Sequence, residues 1–381
     1  MSNMLIACDP PVNKNGFNVG GTHAVVGCII AELERTGYGV HLVTAEMFGQ
    51  VPPNQDAYSY LCELLDGMDF NMVHLATQGR ICLLVRRYCE ERGLPYSTAY
   101  HTQIPEYLEL RHGISKNIGY EFMRWFCNTA EYTIVPTPDM AETLRANGIT
   151  NVVSCLHGVD TERFHPVADK TTLLPDLPRP HFLYVGRISP EKSPEDFMRL
   201  DLPGTKIVVG GASGGLDQAE LEKEYPDVHF AGVQTGDDLA RFYASADVFV
   251  FPSRTDTFGL VLLEALAAGV PVAAYPVTGP IDVITDPTVG CLDDDLYAAA
   301  INALQLSPEA CRNFALQHSW PESVSRWLAF HKPFPSENRT FSVRPDTTVP
   351  YTLLEKLVSE TERMLFASEP AGPYSGKTKV H

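Results

Sequence analysis

The chain has 381 residues, 44% of them hydrophobic and 20% charged, with a formal net charge of −18. That is long enough for two domains with separate cores, and the acidic balance argues against general nucleic-acid binding, which needs a basic surface. No apolar run approaches the ~18 residues of a membrane span, and the N-terminus has no secretion-signal pattern.

Strands and helices alternate along the first half. Met4 to Cys8 reads as a short apolar strand, followed by a glycine-bearing loop (Asn13 to Gly21) and a helix from Thr22 to Thr36. Strands follow at Val40 to Val43, Asn71 to Leu75 and Tyr96 to Tyr100, with a helix at Ile81 to Arg92 before the last of these. A helix at Asn117 to Asn128, a strand at Tyr132 to Val135, a helix at Pro138 to Ala146 and a strand at Val152 to Cys155 complete this half. Such alternation implies a parallel sheet covered on both faces. Residues 166–180 are rich in Pro, Asp and Thr and read as a linker. The alternation restarts with strands at His181 to Val185, Lys206 to Val209, Val228 to Phe230, Val248 to Phe251 and Val270 to Ala274. Helices at Pro194 to Leu200, Leu216 to Glu224, Asp237 to Ala244 and Gly259 to Ala268 separate them. Helices at Leu296 to Leu304, Pro308 to His318 and Trp320 to Phe330 follow. The fold class is therefore α/β, and two such halves face to face put a site in the cleft between them. The tail from Lys332 is proline-dotted, with a helix expected at Leu353 to Phe366 and a disordered end.

The segment Pro252 to Val272 is the most informative. It reads as a turn, a helix starting near Gly259 and a buried strand, with seven residues between Asp256 and Glu264. A helix start gathers unpaired N–H groups and a positive dipole end, which suits a diphosphate. Glu264 lies just over one turn in, flanked by Leu262, Leu263, Ala265, Leu266 and Ala267. A charge in that company needs a partner, and sugar hydroxyls linked to the diphosphate are within its reach. Asp256 reads either as a functional acid or as a plain helix-start acid. Upstream, Gly186 turns the backbone after a buried strand, and Arg187 and Lys192 bring two cations to one loop, fit for a departing phosphate. The alternative there is a surface loop pairing Arg187 with Glu191. Gly20 and Gly21, opening a helix, suit close phosphate approach.

The Gly186-Arg187-x4-Lys192 loop, the Asp256-x7-Glu264 pair and Ala267-x-Gly269-x-Pro271-Val272 resemble glycosyltransferase family 4. In the first half, His101-Thr102-Gln103-Ile104-Pro105-Glu106-Tyr107 and Val135-Pro136-Thr137-Pro138 are similar to its mannosyl- and sulfoquinovosyl-type glycolipid subgroup, and His157-Gly158-Val159-Asp160-Thr161-Glu162-Arg163-Phe164 resembles a motif shared across the family. The resemblance implies the GT-B fold, two facing Rossmann-like domains. Residues 1–165 would form the acceptor side, 166–180 the linker, and 181–318 the nucleotide-sugar donor domain. Residues 319–331 would form a helix crossing back, and 332–381 an extension. It implies a retaining transfer of a hexose from a UDP- or GDP-linked donor to a lipid or glycan hydroxyl. By resemblance Glu264 holds the ribose, Asp256 faces the donor sugar, and Arg187 and Lys192 neutralise the diphosphate. His101 contacts the sugar near the reacting carbon, Gly20 and Gly21 lie over the phosphates, and Thr102 and Gly186 belong to the substrate-binding set. Phe258, Gly259, Leu260 and Val261 line the pocket through their backbone. The family usually has Glu at the first acid position, and Asp256 is shorter by about one bond length. Rivals on the same architecture are a nucleotide-sugar epimerase or hydrolase, and a non-catalytic sugar-nucleotide binder.

No cofactor or metal is expected. Asp293-Asp294-Asp295 has a metal-like spacing but precedes a helix, where acids cap the N-terminus. The nine cysteines show no Cys-x-x-Cys and read as reduced cytosolic thiols. Arg111, His112, Lys116 and Arg124, mixed with Tyr107, Tyr120, Phe122, Trp125 and Phe126, are a candidate for peripheral contact with the inner membrane face.

Overall fold

The computed structural model describes residues 2–9, 21–50 and 56–335. Gly20, the Asn13 to Asn18 loop and the tail helix expected at Leu353 to Phe366 lie outside the described residues.

In chain order the first half comprises β1 (Asn3–Ala7), α1 (Gly21–Arg35), β2 (Gly39–Val43), α2 (Ala57–Asp66), β3 (Met72–Leu75) and α3 (Arg80–Arg92). It continues with β4 (Ser97–Ala99), α4 (Ile104–His112), α5 (Lys116–Cys127), β5 (Tyr132–Val135), α6 (Pro138–Ala146) and β6 (Val152–Ser154). The second half holds β7 (His181–Val185), α7 (Pro194–Met198), β8 (Thr205–Val209), α8 (Gln218–Glu224), β9 (Val228–Gly232), α9 (Gly236–Ser245) and β10 (Val248–Phe251). Then come α10 (Leu260–Ala267), β11 (Val272–Ala274), α11 (Pro280–Val283), β12 (Gly290–Leu292), α12 (Leu296–Ala303), α13 (Pro308–Ala315) and α14 (Trp320–Leu328).

The strands form two parallel sheets of six, ordered β2-β1-β3-β4-β5-β6 and β12-β11-β10-β7-β8-β9. Side chains alternate across each strand, so each sheet feeds two cores. Leu5, Ala7, Val73 and Leu75 pack under α3 and α5, while Met4, Ile6 and Met72 pack against Val25, Ile29 and Leu33 of α1. In the second sheet Leu183, Val185, Phe249 and Phe251 meet α9, α10 and α13, and Phe182, Tyr184, Val208 and Val250 meet α7, α8 and α12.

Helices α2, α4 and α11 and strand β12 are additions to the elements expected from sequence. Asp56 caps α2, its carboxylate accepting from the N–H groups of Tyr58 and Ser59. Pro105 in the first turn and Gly113 in the left-handed conformation bound α4, a proline-start, glycine-end signature. The third acid of the Asp293–Asp295 run caps α12, accepting from the N–H groups of Tyr297 and Ala298 at 3.0 and 3.2 Å.

Helix α14 returns to the first sheet. Val324 and Trp327 join the cluster of Met4, Ile6, Val25 and Ile29, and beyond its end the His331 ring is 2.6 Å from Ser97 Oγ on β4. The helix start lies flush on Gly158, where an added Cβ would stand 2.5 Å from Trp320 N. Arg312 of α13 ties the linker entrance, donating to the carbonyls of Thr161, Phe164 and Ala267 at 2.8–2.9 Å. Gly158→Ala must therefore push α14 outward, and we expect a loss of about 1–3 kcal/mol in chemical denaturation, the usual cost of overpacking; an unchanged midpoint would contradict this seating of α14.

Candidate active site

Renumbered from its own first strand, the second sheet runs 3-2-1-4-5-6, so its order reverses between β7 and β10. At such a switch point the loops beyond the two strands diverge and leave a crevice. The loop after β7 carries Gly186, Arg187 and Lys192, and the loop after β10 carries Asp256, Phe258 and Gly259. Topology thus brings together two motifs more than sixty residues apart.

Lys192 Nζ lies 2.5 Å from Asp256 Oδ2, with the two side chains 16% and 18% exposed. The other Asp256 oxygen accepts from Thr257 N at 3.1 Å. Burial alone would lower the Lys192 amine, but Asp256 and Tyr107 outweigh it, and the group is held above its ordinary value. Arg187 faces the buried Glu191 at 3.5 Å, the pairing open from sequence, so each cation of this loop already meets a carboxylate. Tyr184 OH donates to the Arg187 carbonyl at 2.6 Å and fixes the turn after Gly186.

Gly259 stands at the N-cap of α10 with φ +81°, a conformation that favours glycine. With no side chain there, no side-chain cap occupies the leading N–H groups, of which Leu262 N–H donates back to the Gly259 carbonyl at 2.9 Å. The ring of Phe258 is buried, 5.0 Å edge-on from His157. Leu260 packs on the core of the first domain, and Val261 on that of its own. One turn into α10, Glu264 Oε2 accepts from Tyr243 OH at 2.7 Å. Burial pushes the Glu264 carboxyl up to about 7, against the lowering by Tyr243 and Arg163 and with a further push from Asp160. Helix α1, which begins at Gly21, faces the same corner: its Cys28 thiol is raised to about 12, first by burial and then by Asp160 and Glu264.

From the first sheet, His101 follows β4. Its carbonyl accepts from Thr257 Oγ1 at 2.9 Å, and its ring lies 5.4 Å from that of His157. Its buried Nε2 has no hydrogen-bond partner among the described residues, and burial lowers the imidazole to about 4. Thr102 is half-buried, its carbonyl accepting from Ile104 N at 2.8 Å. The His101 backbone thus meets the residue after Asp256 from across the cleft while its ring turns to His157, and Glu264 sits apart with Tyr243, Asp160 and Arg163. Tyr243, Gln103, Tyr107 and Thr257 had no site role in the sequence reading. Gln103 and Tyr107 lie inside a motif it quoted, and Tyr243 had no local signal at all.

The aromatic and basic segment is turned largely inward. Tyr107, Tyr120 and Phe126 are buried, and Trp125 lies 3.8 Å beneath the Arg86 guanidinium. The large apolar side chains exposed on α4 and α5 are Leu110 and Ile118. The side chains of Arg111 and His112 lie outside the described residues. Among the described residues no helix is long and apolar enough to cross a membrane.

Two facing parallel sheets with this crevice define a glycosyltransferase of the GT-B type. Residues 19–163 match the family model described as Glycosyltransferase Family 4, and residues 169–317 that of Glycosyl transferases group 1. A GDP-mannose-dependent alpha-mannosyltransferase of Mycobacterium tuberculosis is 32% identical over 321 residues, covering 79% of this chain and 84% of the relative. The sulfoquinovosyl transferase SQD2 of Arabidopsis thaliana is 31% identical, over 58% of this chain and 45% of its own. Among solved structures, HepE of Anabaena in complex with UDP-glucose superposes with a TM-score of 0.65 at 16% identity, covering 86% of this chain and all of that one. The chain belongs to glycosyltransferase family 4, in the company of its mannosyl- and sulfoquinovosyl-type members.

Tyr243→Phe removes the hydroxyl that steadies ionised Glu264. The carboxyl midpoint should then rise by roughly half to one pH unit, the worth of one hydrogen bond, measured by carbon NMR of labelled glutamate. An unmoved midpoint would mean the Tyr243 contact has no electrostatic weight.

Proposed function

We propose that this enzyme is a retaining glycosyltransferase that moves a hexose from a UDP- or GDP-linked donor to a hydroxyl of a lipid or glycan acceptor. The observation that carries the reading is the Lys192–Asp256 pair at the mouth of the β7/β10 crevice, beside the Gly259 helix start and opposite His101. Two comparisons support a nucleotide-sugar donor: the mycobacterial relative is named for GDP-mannose, and HepE was solved with UDP-glucose.

In this reading the diphosphate sits at the α10 start. Lys192, Arg187 and the leading N–H groups stabilise the charge that develops on the departing phosphate, where fixed donors in a dry site act most strongly. Glu264 accepts from the ribose hydroxyls. Asp256 faces the sugar, its charge balanced by Lys192. Gly186, and Gly20 and Gly21 from the first domain, allow close backbone approach to the phosphates, and Phe258 to Val261 line the pocket. With an imidazole near 4, His101 is neutral at physiological pH. It therefore serves as a hydrogen-bonding partner of the sugar rather than an acid. The departing phosphate takes the acceptor proton, so no protein base and no metal is required. The acceptor enters from the first domain, with Leu110 and Ile118 turned toward a membrane surface on the inner face.

Glu264→Ala and Lys192→Ala should each abolish transfer while leaving the thermal unfolding midpoint near that of the parent protein. Calorimetry against GDP, UDP and ADP identifies the base, and full activity in both variants would sink the assignment. Nucleotide affinity should also depend on pH. Glu264 accepts best when ionised, above about 7, so affinity falls as pH drops through about 7, and Glu264→Gln should lose that step. For stability the sign is opposite: the raised carboxyl's contribution is fully present below its unfolded value of about 4.5 and is lost as pH rises to about 7.

A further inference from the structure

The three residues Thr255, Asp256 and Thr257 are gripped from both sides of the cleft. From their own domain, Thr255 Oγ1 donates to the Glu191 carbonyl at 2.8 Å, and Lys192 holds Asp256. From the other domain, Gln103 Nε2 donates to the Asp256 carbonyl at 3.3 Å, and Tyr107 OH to the Thr255 carbonyl at 3.4 Å. Thr257 Oγ1 completes the set on His101 at 2.9 Å. Gln103 and Tyr107 are one turn apart at the start of α4, so a single helical turn presents both donors to consecutive carbonyls.

Two features separate this from ordinary packing. The Tyr107 hydroxyl lies in the field of Lys192, Asp256, Arg187 and Glu191, the charged set of the donor loops, while its ring is buried. The two contacts, at 3.3 and 3.4 Å, are also longer than ordinary hydrogen bonds of their kinds, polar and weak. They suit a contact that forms when the halves close and breaks when they part. Asp256 is shorter than the usual glutamate, so the place of its carboxylate depends more on the backbone that Gln103 and Tyr107 hold.

We propose that Gln103 and Tyr107 are positioning residues through which the acceptor-side domain sets the donor loop, so that the Lys192–Asp256 pair takes its working place only when the cleft is closed. This rests on the reading of the crevice as the nucleotide-sugar site.

The test is hydrogen–deuterium exchange on the full chain with saturating GDP or UDP, in the parent protein, Tyr107→Phe, and the double variant Gln103→Leu/Tyr107→Phe. In the parent, nucleotide should slow exchange in both 255–260 and 103–108, the latter by roughly tenfold. In the double variant the nucleotide Kd should stay within about threefold, while the slowing disappears at 103–108 and shrinks at 255–260; Tyr107→Phe should lie between. If the double variant has a lowered thermal midpoint, the conservative Tyr107→Phe alone is read. Equal slowing at 103–108 in parent and variants overturns the inference, as does a parent that binds nucleotide without response there. A parent that binds neither nucleotide overturns the donor-site reading itself, and this inference with it.

Discussion

Parallel strands deliver all their carboxyl ends to one edge of a sheet, and the whole site depends on that constraint. In the second sheet it brings the loop after β7 and the loop after β10 side by side where the strand order reverses. In the first sheet it sends His101, at the end of β4, toward them. The two edges stay opposed because α14 crosses back and buries Val324 and Trp327 in the first domain's core. Nothing in the crevice is built by regular structure alone. His101, Arg187, Lys192 and Asp256 leave from loops that follow strands, Glu264 from the second turn of α10, and its partner Tyr243 from the last turn of α9.

Electrostatics then divides the cleft into two regions. Near the α10 start the charges are paired, Lys192 with Asp256 and Arg187 with the buried Glu191. An anion arriving there would meet in Lys192 a cation already largely desolvated, which costs less than stripping water from a free one. Deeper, Glu264 is raised by burial and steadied by the Tyr243 hydroxyl. His101 is neutral for the same reason that Glu264 is raised: both have lost water. Burial thus gives a carboxylate poised near neutrality and an imidazole that keeps its lone pair.

Much of this was legible beforehand. The order of strands and helices followed from apolar runs of four to five residues alternating with helical stretches, and the motifs at Gly186 and Asp256 stood beside strand ends. Helix α2 was missed because its apolar pattern is interrupted by Tyr58, Ser59 and Tyr60, although Asp56 is a sound cap. The aromatic residues of α4 and α5 read from sequence as either a membrane-contact candidate or a core-facing helix, because composition reports chemistry and not direction. In the fold Tyr107, Tyr120 and Phe126 point into the core. Asp293 to Asp295 read correctly as a cap, since that interaction is local to two or three residues.

By itself the sequence determined the α/β class, the family and the motifs of the two loops that meet at the crevice, because these rest on local periodicity and on short motifs whose spacing follows one turn or one helix. Only the tertiary structure decided the partners. That Lys192 pairs with Asp256, that Tyr243 holds Glu264, and that Gln103 and Tyr107 reach across to the loop of Asp256 depends on contacts between residues 21 to 153 positions apart. Contacts of that range are set by how two sheets and a returning helix pack, and no local pattern encodes them.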